Sequence, residues 1–520
     1  MTDRSPYSLL FPAAFALALA IGGGMWLAAG TPRAQSNVMY ASALAFSALV
    51  LWRASSQATA ALPHWPAPAW TVILPVGAAL LAWGGTLSHH FVADEFVHLY
   101  TGRQPFGDLL VEMLVEGETG TFLRPAAFLT FWADRRVWAD WMPGYHLTNL
   151  ALHAAAASGV FFLCRSASAL RRLALPASLI FAALPAHAEA VGWVGARFDL
   201  VSGLLVVWST ACYLRFRERG HRPLYAAALV LACASFFAKE NAYVIPALLI
   251  AGELFLTPDR RLRAILPFAL LLAGVLVYRI GVLGSAAGYV DALGEPEVFD
   301  IGFKTFEGLF VRAPSVSLLG FNWLQPGPAV VAAPIAAGLF LALALAARAG
   351  RRVTGFAFAW LLVAAVPAHP LLLVGPSLTN SRILYLGAVG AATAVAALLV
   401  SIEPAKLRSA FTIVLLSSLI LGSWHNTAAL KYTSELSRQF LDDVREALPA
   451  PPEGARLVFH GVPESIRGVY FFRVSMIEPV WFAFGREDLR AWRAETLPDA
   501  PPGAIHFDWT GDSGGLVERR

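Results

Sequence analysis

The chain has 520 residues, 57% of them apolar and only 14% charged, against roughly a quarter charged in soluble domains, which excludes an ordinary water-soluble enzyme. A formal net charge of +4, with no arginine-rich tract and no aromatic-interleaved basic segment, excludes nucleic acid as the partner. Residues 425–520 hold 11 basic and 14 acidic side chains, so a long lipid-soluble body carries a short soluble tail. Cys164, Cys212 and Cys233 stand singly inside apolar runs, which removes disulfide frameworks and cysteine-ligated zinc together.

A membrane span needs about 20 mostly apolar residues, and about thirteen segments qualify. In chain order they run from Leu9 to Gly30, Val38 to Trp52, Trp70 to Leu87, Tyr145 to Leu163, Leu173 to Trp193, and Leu200 to Leu214. Then come Pro223 to Phe237, Ala242 to Leu256, Ala264 to Gly281, Ala329 to Ala347, Phe356 to Val374, Ile383 to Val400, and Phe411 to Trp424. The expected fold is therefore an all-α polytopic membrane protein of about 11–13 transmembrane helices with a small α/β C-terminal domain. The first span follows Arg4 and ends near Ala28, Ala29 and Gly30; its apolar run is too long for a signal peptide, so a retained helix is expected. Three domains follow: a hairpin and linker over 1–69, a membrane domain over 70–424, and a soluble tail over 425–520.

Arginine sets the orientation, because basic residues in short loops stay on the cytoplasmic side. Alternate loops hold Arg4; Arg53; Arg165, Arg171 and Arg172; Arg215, Arg217, Arg219 and Arg222; Arg260, Arg261 and Arg263; Arg348, Arg351 and Arg352; Lys406 and Arg408. The loop from Ser88 to Pro143 instead has eight acids against four arginines. The amino terminus is expected inside, and the tail outside.

Two outer segments exceed mere connections, and loops of this length usually carry function. In the first, Phe106, Leu109, Leu110, Met113 and Leu114 repeat at helical spacing, as in a helix lying in the interface plane. A second such helix is expected over Phe122 to Trp138, with Pro125 in its first turn and Phe128, Phe131, Trp132 and Trp138 at headgroup level. The other long loop, from Val282 to Pro328, contains Asp291, Glu295, Glu297 and Asp300. In the tail, Leu436, Phe440, Leu441, Val444 and Leu448 mark an amphipathic helix, and Leu457 to Val462 and Val469 to Val474 read as strands. It has no phosphate-binding glycine loop.

Ionisable groups are costly near hydrocarbon, so the few that occur there are the candidates. Asp94 and Glu95 stand just past the outward end of a span; one could act as a base, or both could lie in a solvated loop. An aspartate of pKa ~4 becomes a useful base for a hydroxyl only if burial raises it or the transition state drives transfer. His90, Asp94 and His98 fall on one face if the stretch is helical, as a zinc site needs. Glu189 precedes Arg197 and Asp199; charges at such depth face a polar cavity or a partner, the blander alternative being a Glu189–Arg197 pair that holds the hairpin shut. Lys239 and Glu240 occupy a turn before Asn241 so tight that both should sit at the membrane surface. With Arg382 and Arg124 they offer outward cations that could pair with phosphate, or snorkel at helix ends. His146, Asn149 and His153 recur along one helix, suited to lining a path or to interhelical hydrogen bonds.

Taken in order, these fragments resemble membrane-embedded glycosyltransferases of the GT-C class that use polyprenyl-phosphate sugars. Asp94-Glu95 resembles the acidic pair in the first outer loop of protein O-mannosyltransferases, and Leu123-Arg124-Pro125 the Arg-Pro that follows it. Tyr145 to His153, His187-Ala188-Glu189-Ala190-Val191 with Gly195, Arg197, Asp199 and Leu200, Phe237 to Glu240, and Ser381 to Leu386 resemble successive motifs of transmembrane O-mannosyltransferases bearing tetratricopeptide repeats. The likeness covers about residues 70 to 430. Departures are Glu95 where many relatives have aspartate, an extra residue between Gly195 and Arg197, Ala238 for serine, Ser381 for glutamate, and the missing repeats.

The resemblance implies a sugar on a polyprenyl phosphate as donor, with Asp94 as general base and inversion at the anomeric carbon. Arg382 and Lys239, then Arg124, would hold the lipid phosphate. Glu95 would orient the acceptor or Asp94, while His187, Glu189, Arg197, Asp199, Glu240, His146 and Asn149 would shape the cavity. It implies no cofactor, leaves a metal requirement open, and places a protein or glycan acceptor at the outer face of a plasma (inner) membrane. Two other readings remain: a lipid-linked sugar flippase, needing the cavity and cations but no base, and a structural subunit needing none of these.

Overall fold

The computed structural model of the protein describes residues 68–116, 122–284, 301–322, 324, 351–371, 374–375, 377–402, 405–497, 499–511 and 515–519. The expected spans Leu9 to Gly30, Val38 to Trp52 and Ala329 to Ala347, and Asp291, Glu295, Glu297 and Asp300, lie outside the described residues. Among the described residues six helices are long and apolar enough to cross a membrane: Ala69–Ser88, Met142–Arg165, Val194–Arg219, Leu262–Leu283, Arg352–His369 and Ala405–Ala447. The pair Arg171–Ala183 and Pro185–Gly192, bent by 49°, adds a seventh if counted as one span. Arg222–Phe236, Ile245–Phe255 and Ala388–Val400 are shorter. The chain is thus a largely helical polytopic membrane protein with a small C-terminal α/β region.

Proline placement explains several boundaries. Pro125, Pro143, Pro223, Pro246 and Pro267 sit in the first turns of their helices, where the missing N–H has no intrahelical partner anyway. Pro185 instead follows Leu184, whose backbone is extended at φ −65° and ψ 119°. A residue before proline avoids the helical region. The span expected over Leu173 to Trp193 therefore breaks, and its second half turns His187 and Glu189 towards the bundle's interior.

Small residues bring the helices close. A Cβ on Gly203 would meet the Tyr385 ring, and one on Gly390 would meet the backbone of Ala357 and Leu361; such contacts substitute for the hydrophobic drive that lipid cannot supply.

The helix Arg197–Arg219 relates the two ends of the bundle. Near its start Asp199 meets Lys239 and Arg382. About 18 residues on, or roughly 27 Å at 1.5 Å per residue, Glu218 pairs with Arg171 and Arg215, and Arg217 with Asp259. Loops grouped by their arginines in the sequence thus share one end.

The helix Ala405–Ala447 is continuous for 43 residues, so the amphipathic segment around Phe440 extends the last span, and the boundary at 424/425 falls inside one helix. Four strands form a sheet in the order β4 (Arg490–Arg493), β1 (Arg456–His460), β5 (Ile505–Trp509), β6 (Leu516–Glu518). β1 is parallel to β4 and β5, and β5 is antiparallel to β6. Leu457, Val458 and Phe459 of the central β1 are all buried, as are Ala491 and Phe507 beside it, so β1 is covered on both faces, and Phe440 lies 5.2 Å from Phe459 between ring centroids. The strand expected over Val469 to Val474 is shorter. β2 (Ser465–Ile466) and β3 (Val469–Tyr470) pair across Arg467 and Gly468, both at positive φ, 50° and 78°. Two such residues match the right-handed twist of a tight hairpin.

Candidate functional site

Charged groups expected from separate motifs meet at one end of the bundle. Lys239 donates to Asp199 at 2.6 Å, and Arg382 Nε lies 3.9 Å from the same carboxylate oxygen. Arg382 also donates to Glu189 at 2.6 Å, while Glu189 accepts from the backbone N–H groups of Asn380 and Arg382. This is possible because Asn380, at φ 70°, turns the chain into a 3₁₀ segment over Ser381–Leu384 before the helix Ala388–Val400. Next to Lys239, Glu240 accepts from Arg124 at 2.6 Å and from Arg279 at 3.0 Å. Burial alone would raise the Glu240 carboxyl, but Arg124 and Arg279 outweigh it and hold it down at about 2.

One alternative and one expectation are corrected here. Glu189 does not pair with Arg197 but with Arg382, which the bend at Pro185 brings within reach. Lys239 and Glu240 do not lie out on the membrane surface: their side chains are 12% and 19% exposed, turned inward onto opposite charges.

Arg197 is fully buried on a different set of partners. It pairs with Asp134 at 2.6 Å and donates to Asn149 at 2.7 Å and to the Tyr145 carbonyl at 2.9 Å. It thereby ties the loop helix Pro125–Trp138 to the span Met142–Arg165. Phe128 and Phe131 of that loop helix are buried around His98 and Phe198, rather than resting at headgroup level. Asn149 also donates towards the Val191 and Trp193 carbonyls, and His153 hydrogen-bonds the Tyr385 hydroxyl at 2.8 Å. Those two serve as interhelical ties. His146 packs beside His89, and His187 lies 4.7 Å from Tyr385 between ring centroids.

Asp94 sits at the start of the helix Glu95–Thr101, after Ala93 at φ 48°. Burial raises its carboxyl above the ordinary aspartate range, with Arg382 and Arg473 pulling the other way. Among the described residues it has no ion-pair partner within 4 Å, whereas Glu189, Asp199 and Glu240 are each paired. Glu95 points elsewhere. It is 2% exposed and accepts from the backbone N–H groups of Val92 and Val194, and burial pushes it up to about 8 against those two donors.

The helix begins only at Glu95, so His90, Asp94 and His98 do not share one helical face. His90 packs against Phe96 and Phe482, and His98 stacks on Phe131. Among the described residues no three His, Cys, Asp or Glu side chains gather to hold a metal.

Beside Arg382 opens a small cleft lined by Glu189, Trp193, Asn322, Ser377, Asn426 and Tyr470 among others. The Arg382 guanidinium stands 5.2 Å from the Trp193 ring and 5.9 Å from that of Tyr470. The tail hairpin closes this cleft. Thr379 donates to the Gly468 carbonyl, Asn322 to that of Arg467, and the Tyr470 hydroxyl to Asn380. A Cβ at Gly468 would collide with Ser377, so glycine is required both by φ and by space.

Sequence reasoning missed Arg279, Asp134, Trp193 and Tyr470. Arg279 was findable, since it is a lone cation in the apolar run from Ala264 to Gly281, and such a residue is a candidate by default. Tyr470 carried no comparable signal.

No protein-family model matches the chain. It is 32% identical over 188 residues to Protein O-mannosyl-transferase Tmtc1 of Drosophila melanogaster, covering 34% of this chain and 21% of that protein. It is 37% identical over 136 residues to Tmtc2 of the same organism, covering 25% of this chain and 14% of that one. The chain thus spans about a fifth or less of the length of these curated relatives. Among solved structures, ArnT from Cupriavidus metallidurans bound to undecaprenyl phosphate aligns at a TM-score of 0.46 and 13% identity, over 85% of this chain and 93% of that one. In sequence, then, the chain is similar over about a third of its length to a protein O-mannosyl-transferase of the Tmtc group.

Proposed function

We propose that the chain is an integral-membrane glycosyltransferase that moves a sugar from a polyprenyl-phosphate donor to an acceptor hydroxyl at the extracytoplasmic face, with Asp94 as general base. One observation carries the reading: Asp94 is a half-buried carboxylate without an ion-pair partner among the described residues, in the field of Arg382, which shares Asp199 with Lys239. A structural carboxylate in such a place is neutralised by contact, as Glu189, Asp199 and Glu240 are. A base must instead be open to a proton. Burial strengthens it as a base by disfavouring its ionised form.

In this reading the acceptor oxygen attacks the anomeric carbon as Asp94 takes its proton, and the bond to the lipid phosphate breaks. One displacement with no nucleophilic side chain inverts the centre. Arg382 and Lys239, with Arg124 behind them on Glu240, stabilise the departing phosphate, since fixed cations act most strongly where charge develops. Glu95 positions Asp94 by locking the turn at Val92 to the segment at Val194. Glu189 and Asp199 hold the two cations in place, while Arg197, Asn149, His146 and His187 keep the cavity walls together. Sequence similarity to protein O-mannosyl-transferases supports sugar transfer and favours mannose. The arginines collected in alternate loops support an outward site for this chemistry at an inner membrane, with the tail beside it.

Mass spectrometry of surface glycans and glycoproteins from cells carrying the intact chain or Asp94→Asn tests the proposal. A glycoform that disappears in the variant is expected; identical profiles contradict it.

A further inference from the structure

Four cations at this end of the membrane domain are already engaged: Arg382 with Glu189, Lys239 with Asp199, Arg124 and Arg279 with Glu240. A leaving phosphate brings negative charge into a region that holds these carboxylates and Asp94. One cation differs. Arg473, in the tail, is exposed and lies within 4 Å of no carboxylate among the described residues. Its guanidinium stands 4.8 Å from the Tyr470 ring, and that ring also has Arg382 at 5.9 Å and Trp193 at 5.4 Å. Arg473 is therefore placed at the cleft mouth by an aromatic face rather than by an acid, which leaves its five donors open.

Its backbone is fixed. The preceding Phe471 and Phe472 are both fully buried. Phe472 packs at 4.9 Å on Phe440 of the long helix and at 6.4 Å on Phe96 of the helix that Asp94 begins. The tail thus holds the Arg473 backbone beside the cleft, with its guanidinium on the Tyr470 ring that Arg382 also faces.

We propose that Arg473 is a phosphate-binding residue supplied by the C-terminal domain, which completes the donor site across its junction with the membrane domain. This rests on the polyprenyl-phosphate reading above. The planar fork can pair two phosphate oxygens at once, a contact that a lysine makes only as a point charge. A role for the tail follows: it forms one wall of the donor site as well as covering it.

The test compares binding of polyprenyl phosphate and of uncharged polyprenol to the full chain in detergent or nanodiscs, for the unaltered protein, Arg473→Ala and Arg473→Lys. The unaltered chain is expected to prefer the phosphate. Arg473→Ala should lose about tenfold or more in affinity for the phosphate and none for polyprenol, with Arg473→Lys in between. Because Arg473 is exposed, both variants should unfold at the temperature of the unaltered chain; if Arg473→Ala does not fold, the Lys variant still reads the fork. Preference for phosphate undiminished in the variants overturns this inference and leaves the proposed function standing. Absence of any preference in the unaltered chain overturns both.

Discussion

Lys239 and Asp199, 40 positions apart in the chain, form an ion pair of 2.6 Å in which the carboxylate is 1% exposed and also faces Arg382. Two cations that the proposal gives to the lipid phosphate are thus oriented by one acid. Removing a partner from a buried pair strands the other charge and costs about 3 kcal/mol. Asp199→Ala should therefore lower thermal stability measurably and, in addition, weaken donor binding; unchanged donor affinity in a folded Asp199→Ala protein would separate Lys239 from the phosphate.

Arg197 offers a purely structural counterpart. Arg197→Met leaves Asp134 buried without its ion-pair partner at 2.6 Å, for an expected loss of about 3–5 kcal/mol. The double variant Arg197→Met with Asp134→Leu removes both charges and should recover most of that loss. Thermal unfolding of the three variants measures it, and equal destabilisation by the single and double changes would refute the pairing argument.

Glu95 gives a prediction in pH. Its carboxyl moves from an ordinary 4.5 to about 8 on folding, so between those values the folded state binds more protons than the unfolded one. Stability from this group is then greatest at low pH and falls as pH rises towards about 8. Glu95→Gln removes the titration, so the stability of the variant relative to the unaltered chain should rise with pH across that window. A flat difference would mean that the two backbone donors keep Glu95 ionised throughout.

Turnover should show a related limb. Asp94 must be ionised to accept a proton, and burial raises its carboxyl against the pull of Arg382 and Arg473. The acid limb of the rate profile should therefore lie above the ordinary aspartate value of ~4, and Arg473→Ala should move it higher still by removing one of the two cations. An acid limb unmoved by Arg473→Ala would place that guanidinium too far from Asp94 to act on it.

The sequence made legible which residues matter more readily than whom they touch. Charges in apolar runs stand out because lipid makes them costly, so Glu189, Arg197, Asp199, Lys239 and Arg382 could be named without coordinates. Their pairing could not. Glu189 and Arg197 are near in sequence, but the break at Pro185 points Glu189 at Arg382, 193 positions away, and leaves Arg197 to Asp134 in a loop helix. The helix over Pro125–Trp138 was expected, but not the burial of Phe128 and Phe131, which depends on their packing against His98 and Phe198. The hairpin at Arg467 and Gly468 fell between the two expected strands, and its first arm, Ser465–Ile466, was missed because two residues leave no periodic pattern.

The central claim is tested most directly by single-turnover transfer from a synthetic polyprenyl-phosphate mannose to acceptor, with donor binding measured on the same preparations. Asp94→Asn should bind donor as the unaltered chain does yet release polyprenyl phosphate at least about 100-fold more slowly, a loss of ~3 kcal/mol in transition-state stabilisation. Transfer at a near-normal rate by Asp94→Asn would contradict the account.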